Sequence, residues 1–145
     1  MDPDSIFAIS AAGMELERKR VEVAALNLAN ANTVAAPGQT PFRPLRVIAT
    51  TAVQTFSSAM AAGQAGIAAL QPQFHIEPAA VEERKVHEPG HPLADAQGFV
   101  SYPAVDAATE MMSMMEASRA YEANVAALNM VRGMAQKALE IGGGQ

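Results

Sequence analysis

Cysteine is absent from all 145 residues. That excludes disulfides, thiolate-ligated zinc, iron–sulfur clusters and thiol nucleophiles. Tryptophan is absent too, and two Tyr and five Phe leave aromatics at 5%. Ordinary globular cores draw much of their burial from large rings, so a core here rests on small and flexible side chains. Charged residues are 17% of the chain, against roughly 25% in a typical soluble domain. Basic residues are the scarcer sign, ten against fifteen acidic, for a net charge of −5. Nucleic acid is not an expected partner, because phosphate binding demands a basic face. No run of about 18 apolar residues occurs, so no membrane span is expected. The acidic opening Met1-Asp-Pro-Asp-Ser5 lacks a basic stretch leading into an apolar one, so export through a cleaved signal peptide is not expected.

What is present is 50% hydrophobic, carried mostly by Ala, Val, Leu and Met. The length suits one domain, and composition divides it into three stretches. Residues 1–32 read as a helix. Asp4 or Ser5 offers a cap oxygen for the orphan N–H groups of the first turn. Ile9, Ala12, Gly13, Leu16, Val23, Ala24 and Asn27 recur at helical spacing. Asn30 to Asn32, followed by Pro37-Gly38, end the pattern.

Residues 33–104 hold eight of the nine prolines and read as an extended, β-rich insertion. Phe42–Ile48 alternates as a short strand, with Pro44 pushing it to an edge. Gly66–Leu70, Phe74–Ile76 and Phe99–Tyr102 are further strand candidates, and the Ala/Gly/Gln-rich stretch 59–69 reads as a loop. Val81–Val86 reads as a solvated strand or loop face.

Residues 105–145 read as a second helix. Asp106 is a plausible cap, and the Glu110 carboxylate suits the positive end of the dipole. Met111, Met114, Ser118, Tyr121, Val125, Leu128, Val131, Ala135 and Leu139 advance in steps of three or four. Roughly 35 residues make about 50 Å of helix. A periodic pattern beyond about 25 residues points to a coiled coil or helical array. The expected fold is therefore mainly α with a small β-rich insertion, its terminal helices forming a coiled coil. One pair of stripes built from Ala, Val, Leu and Met is a modest core, so burial between subunits is expected. The methionines at 111, 112, 114 and 115 suit helix core and adaptable interface alike.

Chemistry-bearing motifs are few. His87-Glu-Pro-Gly-His91 spells the H-E-x-x-H zinc signature, which works only on a helix, where both imidazoles share a face. Pro89 and Gly90 break any helix there and Pro92 follows. A structured turn is the reading of choice. A loop metal site from His87, His91 and Asp95 has no further ligands to complete it. There is no phosphate loop and no G-x-S-x-G. Arg18-Lys-Arg20 is flanked by Glu and reads as a solvated helix face. No catalytic, cofactor or metal residue is assigned, and neither an enzyme activity nor a small-molecule substrate is expected.

Val23-Ala-Ala-Leu-Asn-Leu-Ala-Asn-Ala-Asn-Thr33, followed by Phe42-Arg43, resembles the N-terminal signature of the flagellar rod and hook axial family. Glu88-Pro-Gly-His-Pro-Leu-Ala-Asp-Ala-Gln-Gly-Phe-Val100, Tyr102-Pro103, Glu110-Met111 and Ala117-Ser-Arg-Ala-Tyr-Glu-Ala-Asn-Val125 are similar to its proximal-rod branch. Leu26, His87 and Ala104 depart from the usual residues of that pattern.

The resemblance implies a structural rod subunit, exported without a cleaved signal by the type III apparatus, with terminal helices packed in the rod that crosses the periplasm and carries torque. Its implied partners are copies of itself, other proximal and distal rod proteins, the basal adaptor protein and, in transit, the export apparatus. The family motifs place subunit contacts at Leu16, Val23, Asn27, Asn30, Asn32, Thr33, Pro89, His91, Pro92, Asp95, Gly98, Met111, Ser118, Arg119, Tyr121, Asn124, Val125 and Leu128. Asn27, Asn30 and Asn124 are expected to hydrogen-bond at helix ends and between subunits, and Arg119 to pair with an acidic neighbour. The alternative is a subunit of another axial structure built through type III export.

Overall fold

The computed structural model describes the backbone of residues 3–50 and 73–142, with side chains from residue 7 onward. Among the described residues the order is α1 (Pro3–Asn30), β1 (Leu45–Thr50), β2 (Gln73–Pro78), β3 (Arg84–His87), β4 (Phe99–Tyr102) and α2 (Ala107–Gly142). This is the expected mainly α arrangement with a small β region between two long helices. The strand expected at Gly66–Leu70 and the loop at 59–69 lie outside the described residues.

The ends of α1 and α2 follow from local chemistry. Pro3 lies in the first turn of α1, where a missing N–H costs nothing. Asp4 and Ser5 therefore fall inside the helix instead of capping it. At the other end, the Asn30 side-chain N–H donates to the Leu26 carbonyl at 2.8 Å. The Asn30 carbonyl accepts from both the backbone N–H and the hydroxyl of Thr33. The bonds from Thr33 occupy the Asn30 carbonyl, which a helix end leaves open, without a left-handed residue at the stop. Asp106 caps α2: its carboxylate accepts from the N–H groups of Ala108 and Thr109, and from the Thr109 hydroxyl.

β1 starts three residues later than the alternation predicts, and pairs with β2. Pro41 and Pro44 are buried and have no N–H for a ladder, so the stretch before Leu45 packs without pairing. β3 and β4 are antiparallel, with Arg84 opposite Tyr102, Val86 opposite Val100 and His87 opposite Phe99. The expected β4 is found as read, and the Val81–Val86 stretch contributes the start of β3.

The described residues divide between two compact units, one within Met1–Lys19, Ala49–His75 and Ala117–Gln145, the other within Arg20–Ile48 and Ile76–Glu116. In the second unit the fully buried side chains are Val100, Asn27 and Pro103, joined by Val23, Ala24, Ala31 and Ala79. In the first, Ala117 is fully buried and Glu17 is nearly so. Large aliphatic residues are scarce at both centres. Among the described residues the buried side chains are mostly small, with the Asn27 amide and the Glu17 carboxylate beside them.

Candidate assembly surface

Asn27 is 1% exposed and sits on the inward face of α1 with Val23 and Ala24. Its side-chain N–H donates to the Leu45 carbonyl at 2.9 Å, and its oxygen accepts from the Leu45 N–H at 2.8 Å. One amide thus satisfies both polar groups of a backbone unit at the entry to β1. A buried amide without such partners is costly, so this pair fixes where the chain after α1 returns. Beside it, the Ala79 N–H donates to the Pro44 carbonyl at 2.7 Å. The Arg43 guanidinium donates to the Ala79 carbonyl at 3.1 Å.

The 88–98 loop between β3 and β4 is held by its own hydrogen bonds. Asp95 Oδ1 accepts from the N–H groups of Gln97 at 2.9 Å and Phe99 at 2.8 Å. His91 Nδ1 accepts from the Leu93 N–H at 3.1 Å. The Glu88 N–H donates to the Gly98 carbonyl at 2.8 Å. Gly98 has φ 79°, and a Cβ there would lie 3.1 Å from Pro89 Cβ and 3.2 Å from His87 Nε2. Only glycine meets both conditions. The His87 ring meets Phe99 edge-on at 5.1 Å, Arg84 lies over the Tyr102 ring, and the Tyr102 hydroxyl donates to Glu88. Desolvation, then the Glu88 carboxylate, raises the Tyr102 hydroxyl above the usual tyrosine range, opposed by Arg84. The segment is thus a strand end and a turn, not the helix a zinc protease needs. Among the described residues no three His, Asp or Glu side chains are placed to share a metal ion.

Of the expected contact residues, the structure brings Pro89, His91, Pro92, Asp95 and Gly98 into this one loop. Val23 and Asn27 are buried, Leu16, Asn30, Asn124, Val125 and Leu128 are half-buried, and Asn32 and Thr33 are exposed. Asn124 lies against Gly13: a Cβ on Gly13 would sit 3.1 Å from Asn124 Nδ2. The absence of a side chain at 13 makes room for the amide.

The α2 seam keeps Met114, Val125, Leu128, Val131 and Ala135 of the expected stripe half-buried, but departs from it at Met111, Ser118, Tyr121 and Leu139. Ala117, not Ser118, is the buried residue, and Glu110 and Ser113 are more covered than Met111. Ser118, Met111 and Tyr121 face outward. Arg119 is exposed, and among the described residues it makes no ion pair. The long methionines are better apolar candidates than Ala or Ser, which is why the sequence pattern drew them inward. The structure leaves many large apolar side chains of α2 open to solvent: Met111, Met112, Met115, Tyr121, Met130, Met134, Leu139 and Ile141, the last two 76% and 84% exposed. Ile9 and Leu26 add to this on α1. No helix among the described residues is long and apolar enough to cross a membrane.

A cleft of about 730 Å³ in the second unit is bordered by Phe42, Pro44, Val81, Lys85 and Pro103. Its charged groups are Arg43 and Lys85 against Glu82 and Glu83, two of each sign.

The comparisons with known proteins agree with one another. A family profile described as flagellar basal body rod FlgEFG protein C-terminal matches residues 96–141, that is, β4 and most of α2. The chain is 41% identical to flagellar basal-body rod protein FlgC of Salmonella typhimurium over 138 residues, 95% of this chain and 96% of that protein. It is 38% identical to the FlgC of Escherichia coli O6:H1 over the same shares. It is 33% identical to that of Bacillus subtilis, over 92% and 94% of the two chains. With a rod-family profile over its C-terminal helix and full-length relatives of one name in both enteric bacteria and a Bacillus, the chain belongs to the FlgC family of flagellar basal-body rod proteins.

Proposed function

We propose that the chain polymerises in the proximal rod through the outward faces of α1 and α2, and so helps build the shaft that carries torque across the periplasm. That it is a structural subunit of the flagellar basal-body rod, and not an enzyme, follows from its family. The finer reading rests on one observation above all. Eight large apolar side chains of α2, from Met111 to Ile141, are exposed, with Ile9 and Leu26 on α1. Soluble monomers rarely leave so many large apolar side chains uncovered along one helix, and such surfaces mark interaction sites.

The subunit contacts in this reading draw on the family-motif residues placed above that remain accessible, Val23 and Asn27 being buried within the chain itself, and the 1–32 and 105–145 stretches form the coiled-coil part around the 33–104 insertion. Neighbours are further copies, other rod proteins and the basal adaptor, after passage through the type III apparatus with no signal removed. The scarcity of large core residues supports that route, since a chain threaded unfolded gains little from a stable monomer.

Two measurements test the reading. Quantitative mass spectrometry of detergent-purified basal bodies should find this chain in stable multi-copy stoichiometry, and its absence from intact basal bodies contradicts the proposal. A Val125→Asp chain should fail to enter the rod, and normal incorporation refutes the helix-face interface.

A further inference from the structure

We infer that Met111, Met112 and Met115 form an oxidation-sensitive site that decides whether a free subunit is competent to assemble. They are 51%, 56% and 57% exposed, and the i, i+1, i+4 spacing puts them together on one side of α2. Met114, in the same turn, is half-buried and serves as an internal control. Met130 and Met134, at 67% and 59%, form a second exposed pair about five turns on. Nine methionines against no cysteine and no tryptophan make thioethers the principal sites for two-electron oxidants in this chain.

The chemistry needs a hydroperoxide. The thioether lone pair attacks one peroxide oxygen, an S–O bond forms and the O–O bond breaks. The departing hydroxide takes the proton from the S–OH group, leaving sulfoxide and water. Sulfur is oxidised by two electrons and the peroxide is reduced. Two thiols reverse the step, yielding thioether, disulfide and water. The product is a polar, chiral group on a flexible stem, which disrupts a methionine-rich interface. A sulfoxide buried without a donor carries a desolvation cost, and α2 offers no spare N–H groups along its middle because helix bonds use them. This inference rests on the reading that the outward face of α2 is covered in the rod.

The test has two parts. Purified full-length chain is treated with hydrogen peroxide and followed by peptide mass spectrometry. Met111, Met112 and Met115 should gain oxygen several-fold faster than Met114, and equal rates overturn the site. Then a strain lacking its own copy is complemented with wild type, with a Met111→Leu/Met112→Leu/Met115→Leu chain, or with the Gln triple variant that imitates sulfoxide polarity. Leucine conserves volume and apolarity, so the Leu chain should assemble and stay assembled under sublethal peroxide. Wild type should lose incorporation at least tenfold under peroxide, and the Gln chain should fail without it. Equal losses for wild type and Leu chains, or normal assembly of the Gln chain, overturn the inference. Absence of untreated wild-type chain from basal bodies is a different result and contradicts the rod reading itself.

Discussion

The Asn27 side-chain amide on α1 closes on both the N–H and the carbonyl of Leu45, at 2.8 and 2.9 Å, eighteen residues along the chain. A helix side chain here does what a neighbouring strand would do, and its 1% exposure keeps water from competing. Asn27→Ala removes both bonds and leaves the Leu45 groups unpaired, for a loss of about 2–4 kcal/mol. Hydrogen exchange at the Leu45 amide is the direct probe. It should be protected in wild type and exchange much faster in the variant, and equal protection contradicts the pairing.

Gly98 and Gly38 both have positive φ, 79° and 83°, but differ in surroundings. Gly38→Ala meets nothing within 4 Å and loses only the backbone preference, about 1–2 kcal/mol. Gly98→Ala also drives a methyl into Pro89 and His87 and should lose about 1–3 kcal/mol more. Denaturant midpoints of the two variants should rank in that order.

Ala117 is fully buried while Ser118 beside it is exposed. Ala117→Leu should overpack the seam and cost about 1–3 kcal/mol. Ser118→Leu should change stability by less than about 0.5 kcal/mol. The reverse ranking in thermal unfolding would restore the stripe that the sequence pattern suggests.

The Asp106 cap gives α2 a pH dependence with a definite sign. The Thr109 hydroxyl, then the Ala108 N–H, hold the carboxyl below its usual range, with burial opposing. A carboxyl with a depressed folded pKa contributes stability above its unfolded value, near 3.9, and loses it as pH falls through the folded value. Exchange in the first turn of α2 should therefore accelerate below about pH 4. In Asp106→Asn that acid step should vanish. An unchanged acid step in the variant contradicts the assignment.

Helix extents were legible because they depend on local spacing and caps: 3–30 and 107–142 against expected stretches of 1–32 and 105–145. β4 was legible because Gly98 and a β-branched, aromatic run mark it. β1 was displaced because Pro41 and Pro44 satisfy an alternating pattern while supplying no ladder N–H. The facing of α2 was legible in part: Met114, Val125, Leu128, Val131 and Ala135 are covered as the period suggests, while Met111, Ser118, Tyr121 and Leu139 are exposed. Period alone cannot place the edge of a stripe where Ala and Ser adjoin Met, as they do around Ala117. The role of Asn27 against Leu45 was hidden for another reason, since its partner is remote in sequence and is a backbone group, which carries no residue identity. The 88–98 loop sits between these cases: Pro89, Gly90 and Pro92 exclude a helix from sequence alone, but the Asp95 bonds that shape it go to backbone N–H groups, which carry no residue identity.

The most direct test of the assembly account uses a residue that contributes nothing to the fold of the free chain. Leu139 is 76% exposed on α2, so Leu139→Asp should leave helix content and unfolding unchanged. In a strain lacking its own copy, quantitative mass spectrometry of purified basal bodies should recover wild-type chain in multi-copy amount and little or none of the Leu139→Asp chain. Recovery of both in equal amounts would contradict the claim that the outward helix faces build the rod.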